Sequence, residues 1–278
     1  RLSNLMGFVN SENPDKIEGV YRKYYPNPYE KVLEVEAEFK AGVKHGEYKE
    51  FYEDGMLRAQ YRYENGKIEG KYIKFFNRGP KMVECQYVNG QIEGEMIKYT
   101  EGQVVLARVH FKEGNREGPM EQYYPNGKLM AVYNFSNDLK NGETKAYSES
   151  NELIQEGFYK NDLLEGKMVL YFPNGKVKNE SEFLNGELHG ESKKFYENGG
   201  LIESFQYKEG KENGLGKTFY PNGNVHTEAN YKDGFLLGNF TTYYENGNTK
   251  SITKTENGDK GTGSFQAFTE DGKLEMDG

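Results

Sequence analysis

The 278 residues predict an all-β fold: an elongated, twisted antiparallel meander or solenoid built from eleven β-hairpin repeats of about 24 residues. Three observations predict it: glycines at constant spacing, a second turn nine residues after them that usually ends in Gly, and apolar-polar alternation of period two between turns. Gly46, Gly70, Gly94, Gly118, Gly142, Gly166, Gly190, Gly214 and Gly238 stand 24 apart. Gly19 precedes the first by 27 and Gly263 follows the last by 25, so the array occupies residues 15–278. No single hairpin buries enough apolar surface to stand alone, so stability comes from stacking neighbouring copies.

In chain order, the segment 1–14, RLSNLMGFVNSENP, lies outside the period and carries Leu2, Leu5, Met6 and Phe8, which suits an N-terminal cap. Each copy then runs from its anchor glycine to an aromatic five residues on: Tyr24, Phe51, Phe75, Tyr99, Tyr123, Tyr147, Tyr171, Phe195, Phe219, Tyr243 and Phe268. A position aromatic in every copy is read as the shared core ladder. The next residue is read as pointing to the opposite face and is less uniform. Tyr25, Tyr52, Phe76, Tyr124, Phe172, Tyr196, Tyr220 and Tyr244 are interrupted by Thr100, Ser148 and Thr269. These eight rings are the candidate partner-binding residues, because tyrosine offers large contact area and a hydroxyl at low entropic cost. The other reading open to them is a second small core inside a rolled solenoid.

The turn that follows reads Glu53-Asp54-Gly55, Pro125-Asn126-Gly127, Pro173-Asn174-Gly175 or Pro221-Asn222-Gly223, and is expected to be a type I′ hairpin turn. The second strand alternates, with Leu57, Ala59, Tyr61 and Tyr63 on one side and Arg58, Gln60 and Arg62 on the other. In the third copy Val83, Cys85 and Tyr87 take the apolar side, so the only cysteine reads as a small buried hydrophobe and not a nucleophile. A further turn, as in Glu64-Asn65-Gly66 and Lys232-Asp233-Gly234, leads to the next anchor. The last copies turn polar at Thr249, Ser251, Thr253 and Thr255, which makes an edge less adhesive.

Composition limits the partners. Aromatics form 14% of the chain against 35% hydrophobics in total, which suits strands. Thirty-six basic and forty-four acidic residues give a net charge of -8, disfavouring nucleic acid and anionic lipid as main partners. One cysteine excludes an intramolecular disulfide framework, and no stretch reads as an apolar helical span or signal segment. The chain opens at Arg1, which favours an exported or cell-envelope protein over a cytoplasmic one, with a trimmed chain as the alternative.

The stretches GEYKEFYEDGMLRAQYRYENGKIEG (46–70) and GPMEQYYPNGKLMAVYNFSNDLKNG (118–142) resemble bacterial MORN-type repeats, in the variant seen in YwqK-family antitoxin-like proteins. The resemblance spans all eleven copies. It implies an all-β hairpin array used as a binding or scaffolding surface, with no catalytic residues and no cofactor.

Other motifs point nowhere else. His45 and His189 share a repeat position six copies apart, His110 and His226 fall elsewhere, and a metal needs converging ligands, so all four read as solvated turn residues. GLGKTFY (214–220) has Lys211 where a phosphate loop needs its first glycine, and a hairpin turn where it needs a helix. EDGKLEMDG lacks calcium-loop spacing. No serine-histidine-aspartate set or carboxylate pair stands apart from the repeat. The expected function is therefore a non-enzymatic scaffold that binds a protein along one face, an antitoxin or immunity role being the case in which that protein is a toxin. A carbohydrate- or envelope-binding repeat protein is the alternative, with tyrosines stacking on sugars in a chain without tryptophan.

Overall fold

The computed structural model describes residues 8–9, 17–26, 28–255 and 263–278. Leu2, Leu5 and Met6 of the expected cap lie outside them, while Phe8–Val9 forms a short strand paired with Ile17 and Glu18. The chain divides into two units, Arg1–Leu139 and Lys140–Gly278.

In the first unit Ile17–Tyr24, Leu33–Lys40, Val43–Phe51, Leu57–Glu64, Lys67–Phe75, Lys81–Val88, Gln91–Tyr99, Val105–Lys112, Asn115–Tyr123 and Leu129–Ser136 follow one another as antiparallel neighbours. The second repeats the scheme through Gly142–Tyr147, Leu153–Lys160, Gly166–Tyr171, Val177–Leu184, Glu187–Phe195 and Leu201–Lys208. It continues with Lys211–Phe219, Val225–Lys232, Phe235–Tyr243, Thr249–Thr255, Phe265–Phe268 and Leu274–Asp277. Each unit is thus the antiparallel hairpin meander that the repeat predicts.

The two turns of the repeat differ in chemistry, and the type I′ turn sits at the one not expected to carry it. Between copies, Asn65-Gly66 (φ 49° and 82°), Asn89-Gly90 (51° and 84°) and Asp233-Gly234 (53° and 85°) are left-handed at both residues. At the turn after the paired aromatics only the last residue is left-handed, as in Gly55 (83°), Gly127 (81°) and Gly223 (90°). There Gly55 N–H donates to the Tyr52 carbonyl at 2.9 Å and Tyr52 N–H to the Met56 carbonyl at 2.8 Å, a three-residue loop with a left-handed third position. Its Asp or Asn is selected by a different bond: Asp54 and Asn126 each accept from the backbone N–H two residues on, at 3.0 Å.

The anchor glycines lie inside strands, in bulges. Arg62 pairs with Glu69 and Gln60 with Ile73, so Tyr61 alone faces Gly70, Lys71 and Tyr72. Gly70 sits at φ 80° and Gly118 at 84°, a conformation that a side chain resists. His45, His110, His189 and His226 accordingly belong to strands and not to turns.

The bulge sets the core. Tyr48 pairs with Tyr61 and Tyr72 with Cys85. Ring centroids step 4.9 Å from Tyr48 to Tyr61, 5.0 Å on to Tyr72 and 5.7 Å on to Tyr87. Ala37, Ala59, Tyr61, Cys85, Ala107, Val109, Ala131, Phe135 and Ala229 are buried on this face, as is Thr144 at the repeat position of Tyr48. The expected core position, five after the anchor, is only half-buried. It ends its strand at a register shift, with Phe51 opposite Leu57, where the sheet opens into the turn. The aromatic ladder forms mid-strand instead, two residues after the anchor, where neighbours lie on both sides.

Candidate partner-binding surface

The eight rings singled out from the sequence lie at the hairpin ends, at the first residue of the turn, and are half-buried. Their hydroxyls reach the following copy. Tyr25 donates to the Phe51 carbonyl at 2.6 Å, Tyr52 to Phe75 at 2.7 Å, Tyr220 to Tyr243 at 2.8 Å and Tyr244 to Phe268 at 2.9 Å. Turn asparagines reinforce this seam: Asn222 and Asn224 both donate to the Glu245 carbonyl, at 3.0 and 2.7 Å. The polar ends of these tyrosines are therefore used between copies, and what they offer outward is the ring. Lys250 lies 5.6 Å from the Tyr244 ring and His226 packs 4.5 Å from the Tyr220 ring. Where Thr100 and Ser148 replace the second aromatic, the hydroxyl accepts from its own turn, from Val104 and Glu152 N–H at 3.1 Å.

The opposite end has a seam of its own. The residue before the anchor glycine is commonly Glu, and its carboxylate accepts from the first N–H of the next copy's type I′ turn: Glu69 from Asn89 at 2.7 Å, Glu93 from Glu113 at 2.8 Å and Glu165 from Asn185 at 3.0 Å. The turn glycine also donates backward, Gly66 to the Lys44 carbonyl at 2.8 Å and Gly90 to Ile68 at 2.9 Å.

The two faces of the sheet differ. In the first unit one is filled by the tyrosine ladder, closed over by cations such as Lys44, 4.5 Å from the Tyr48 ring, and Arg116, 4.2 Å from Phe135, and in the second the equivalent positions hold Thr144, Phe205 and the hydroxyl pair Ser181 and Ser192, 2.7 Å apart. On the other, the residue after the anchor meets the residue thirteen further on: Lys71 and Glu84 at 3.3 Å, Glu95 and Arg108 at 2.9 Å, Lys167 and Glu180 at 2.6 Å. Glu84 collects most partners. The Tyr99 hydroxyl donates to it, with Lys81 at 2.9 Å, and these push its carboxyl down to about 2. Burial and the same contact push the Tyr99 phenol up to about 12. Tyr171 and Glu156 repeat the arrangement 72 residues later.

This charged face holds an open concavity in each unit, and the two lie at equivalent repeat positions. The first, about 280 Å³, is lined by Glu47, Gln60, Arg62, Lys71 and Ile73 among others, and the second, about 300 Å³, by Glu143, Lys145, Glu156, Phe158, Lys167 and Val169 among others. Sequence reasoning did not single these residues out. The signal was present in the column of residues following successive anchors.

Cys85 is buried in the tyrosine face, and burial pushes its thiol up to about 11. Among the described residues no three His, Cys, Asp or Glu side chains converge as metal ligands. The arrangement offers repeated contact positions on a broad surface.

A family profile described as a MORN repeat variant matches residues 44–65, 116–137, 140–161, 164–185, 188–209, 212–233 and 236–257, together more than half of the chain. Comparison with curated proteins finds no match. Among solved structures, the crystal structure of TcdB2-TccC3 is similar at 11% identity over 92% of this chain and 14% of that one, with a TM-score of 0.20. TcdB2-TccC3-Cdc42 is similar at 9% over 98% and 19%, TM-score 0.21. A Photorhabdus luminescens Tc holotoxin pore is similar at 11% over 86% and 14%, TM-score 0.20. The chain spans less than a fifth of the length of each.

Proposed function

This chain belongs to the MORN repeat variant family, whose repeats are generally protein- or membrane-binding modules, and we propose that it is a non-enzymatic scaffold binding a protein partner along its charged face. The carrying observation is the asymmetry of the sheet. From Tyr48 to Tyr87 tyrosine packing uses up one face, while the other presents charged residues at the same repeat position in three successive copies of each unit, beside a concavity. Rings at the hairpin ends, such as Tyr196 and Tyr244, border that surface and add apolar contact. Net charge of -8 favours a protein over an anionic membrane. An antitoxin role is the case in which the partner is a toxin.

Affinity capture on the immobilised chain, followed by lysine cross-linking and mass spectrometry, tests the proposal. We expect a stoichiometric protein whose cross-links fall on Lys71, Lys145 or Lys167. Retention of cell-wall polysaccharide alone would overturn it in favour of a carbohydrate-binding role. For the antitoxin case, co-expression with the captured protein should restore growth that the captured protein alone arrests.

A further inference from the structure

Read down successive copies, the residue after the anchor glycine is Glu47, Lys71, Glu95 in the first unit and Glu143, Lys167, Glu191 in the second. The same acid-base-acid order thus occurs once per unit, and the acid-base step of each is the step that lines the concavity. Beside that step the floor is aliphatic in both, Ile73 in one and Val169 in the other. Neighbours steady these residues: Glu47 accepts from Gln60 at 3.5 Å, Glu95 pairs with Arg108 and Lys167 with Glu180, and Glu191 accepts from Ser204 at 2.9 Å and pairs with Lys193 at 2.6 Å. The Lys71 and Lys167 side chains nonetheless remain 59% and 55% exposed. Such pairs are weak, so a partner's carboxylate can add to them without a large desolvation cost.

We propose that each unit carries one recognition strip, Glu47-Lys71-Glu95 and Glu143-Lys167-Glu191, for a polypeptide segment presenting base, acid and base along one edge. This rests on the scaffold reading and specifies its partner. Successive strip residues are two strands apart, about 10 Å. A polyproline II segment with a charge at every third residue matches that step, because three residues advance about 9.3 Å and return to the same edge. A β-strand places its third residue on the opposite side.

The test uses the intact chain and fluorescence anisotropy at low ionic strength with three labelled peptides. They are Lys-Pro-Pro-Glu-Pro-Pro-Lys, its charge-reversed counterpart Glu-Pro-Pro-Lys-Pro-Pro-Glu, and a version with Gln at all three charged positions. The first should bind about tenfold tighter than the reversed peptide, from three exposed pairs each favourable in one and unfavourable in the other, with two sites per chain. Lys71→Glu combined with Lys167→Glu should cut the preference to about twofold, because the two flanking glutamates of each strip still favour the first peptide while the central pair now opposes it. Lys71→Gln with Lys167→Gln, which keeps the side-chain stems and serves if the first variant folds poorly, should weaken it. Equal affinity of the native chain for the three peptides, or a preference undiminished in both variants, overturns the strip. Capture of a protein by the Lys71→Glu, Lys167→Glu chain as efficiently as by the native one likewise overturns the strip and leaves the scaffold standing. Failure of the native chain to capture any protein removes the scaffold reading itself.

Discussion

At the scale of single residues, the tyrosines at the hairpin ends separate two roles that one side chain can combine. Tyr52 gives its hydroxyl to the Phe75 carbonyl and Tyr220 gives its own to Tyr243, so Tyr52→Phe or Tyr220→Phe removes a bond between copies and keeps the ring. Each should cost about 0.5–1.5 kcal/mol in urea unfolding and leave partner capture unchanged. Cys85 is buried and its thiol is pushed up to about 11, so alkylation at pH 8 should be slow in the native protein and fast in urea. Glu84 gives a pH signature of known sign. Its carboxyl is lowered from 4.5 to about 2 by Tyr99, Lys81 and Lys71, so the charged form is favoured by folding. The stability it adds is complete above pH 4.5 and is lost as pH falls towards 2. Glu84→Gln should flatten that part of the acid unfolding curve, and an unchanged curve would show that these contacts do not act through the carboxylate.

At the scale of the hairpin, glycine does two kinds of work that substitution can tell apart. A methyl group on Gly70 would meet nothing within 4 Å, but its φ of 80° makes Gly70→Ala cost about 1–2 kcal/mol through backbone strain. Gly216 is different: a Cβ there would lie 2.5 Å from the Phe205 ring, with which it is directly paired. Gly216→Ala must displace an aromatic of the packed face and should destabilise more, as measured by the thermal midpoint. The hairpin, its alternation and the buried Cys85 were legible in the sequence because period-two alternation and glycine spacing are local signals. The placement of the type I′ turn was not, since Asn-Gly serves a left-handed pair in Asn65-Gly66 and a side-chain-capped loop in Asn126-Gly127. Nor was the bulge at the anchor, which only the pairing of Arg62 with Glu69 and Gln60 with Ile73 reveals. That bulge shifts the aromatic ladder from the conserved-looking fifth position to Tyr48 and Tyr72. The candidate surface was read in part. The rings were found, but their hydroxyl bonds join residues 23 to 26 apart, and the charged strip is visible only when copies are aligned beneath one another.

At the scale of the whole molecule, copies within a unit are joined by recurring strand pairing and turn-to-strand hydrogen bonds, so the chain should tolerate loss of a complete period far better than loss of half of one. Residues 94–117 form one period, and their removal brings Glu93 against Gly118, recreating the Glu-Gly junction that Glu117 and Gly118 form in the native chain. The strand arriving at the junction is the Gln91–Tyr99 strand up to its anchor, and the strand leaving it is Asn115–Tyr123 beyond its anchor, so direction and register are kept. Glu93, which accepts from Glu113 N–H, takes over the role of Glu117 and accepts from Asn137 N–H. This variant should retain a β-sheet circular dichroism spectrum and a cooperative transition, with a urea m-value lower by roughly one-eleventh, because that slope follows the surface exposed on unfolding. Removing only 94–105 deletes half a period and fuses the start of the Gln91–Tyr99 strand to the rest of the Val105–Lys112 strand, which puts the turns of every later copy at the wrong end of the sheet and breaks the copy-to-copy bonds at the junction. It should lose the cooperative transition. Similar unfolding curves for the two deletions would mean that copy-to-copy register does not hold the array together.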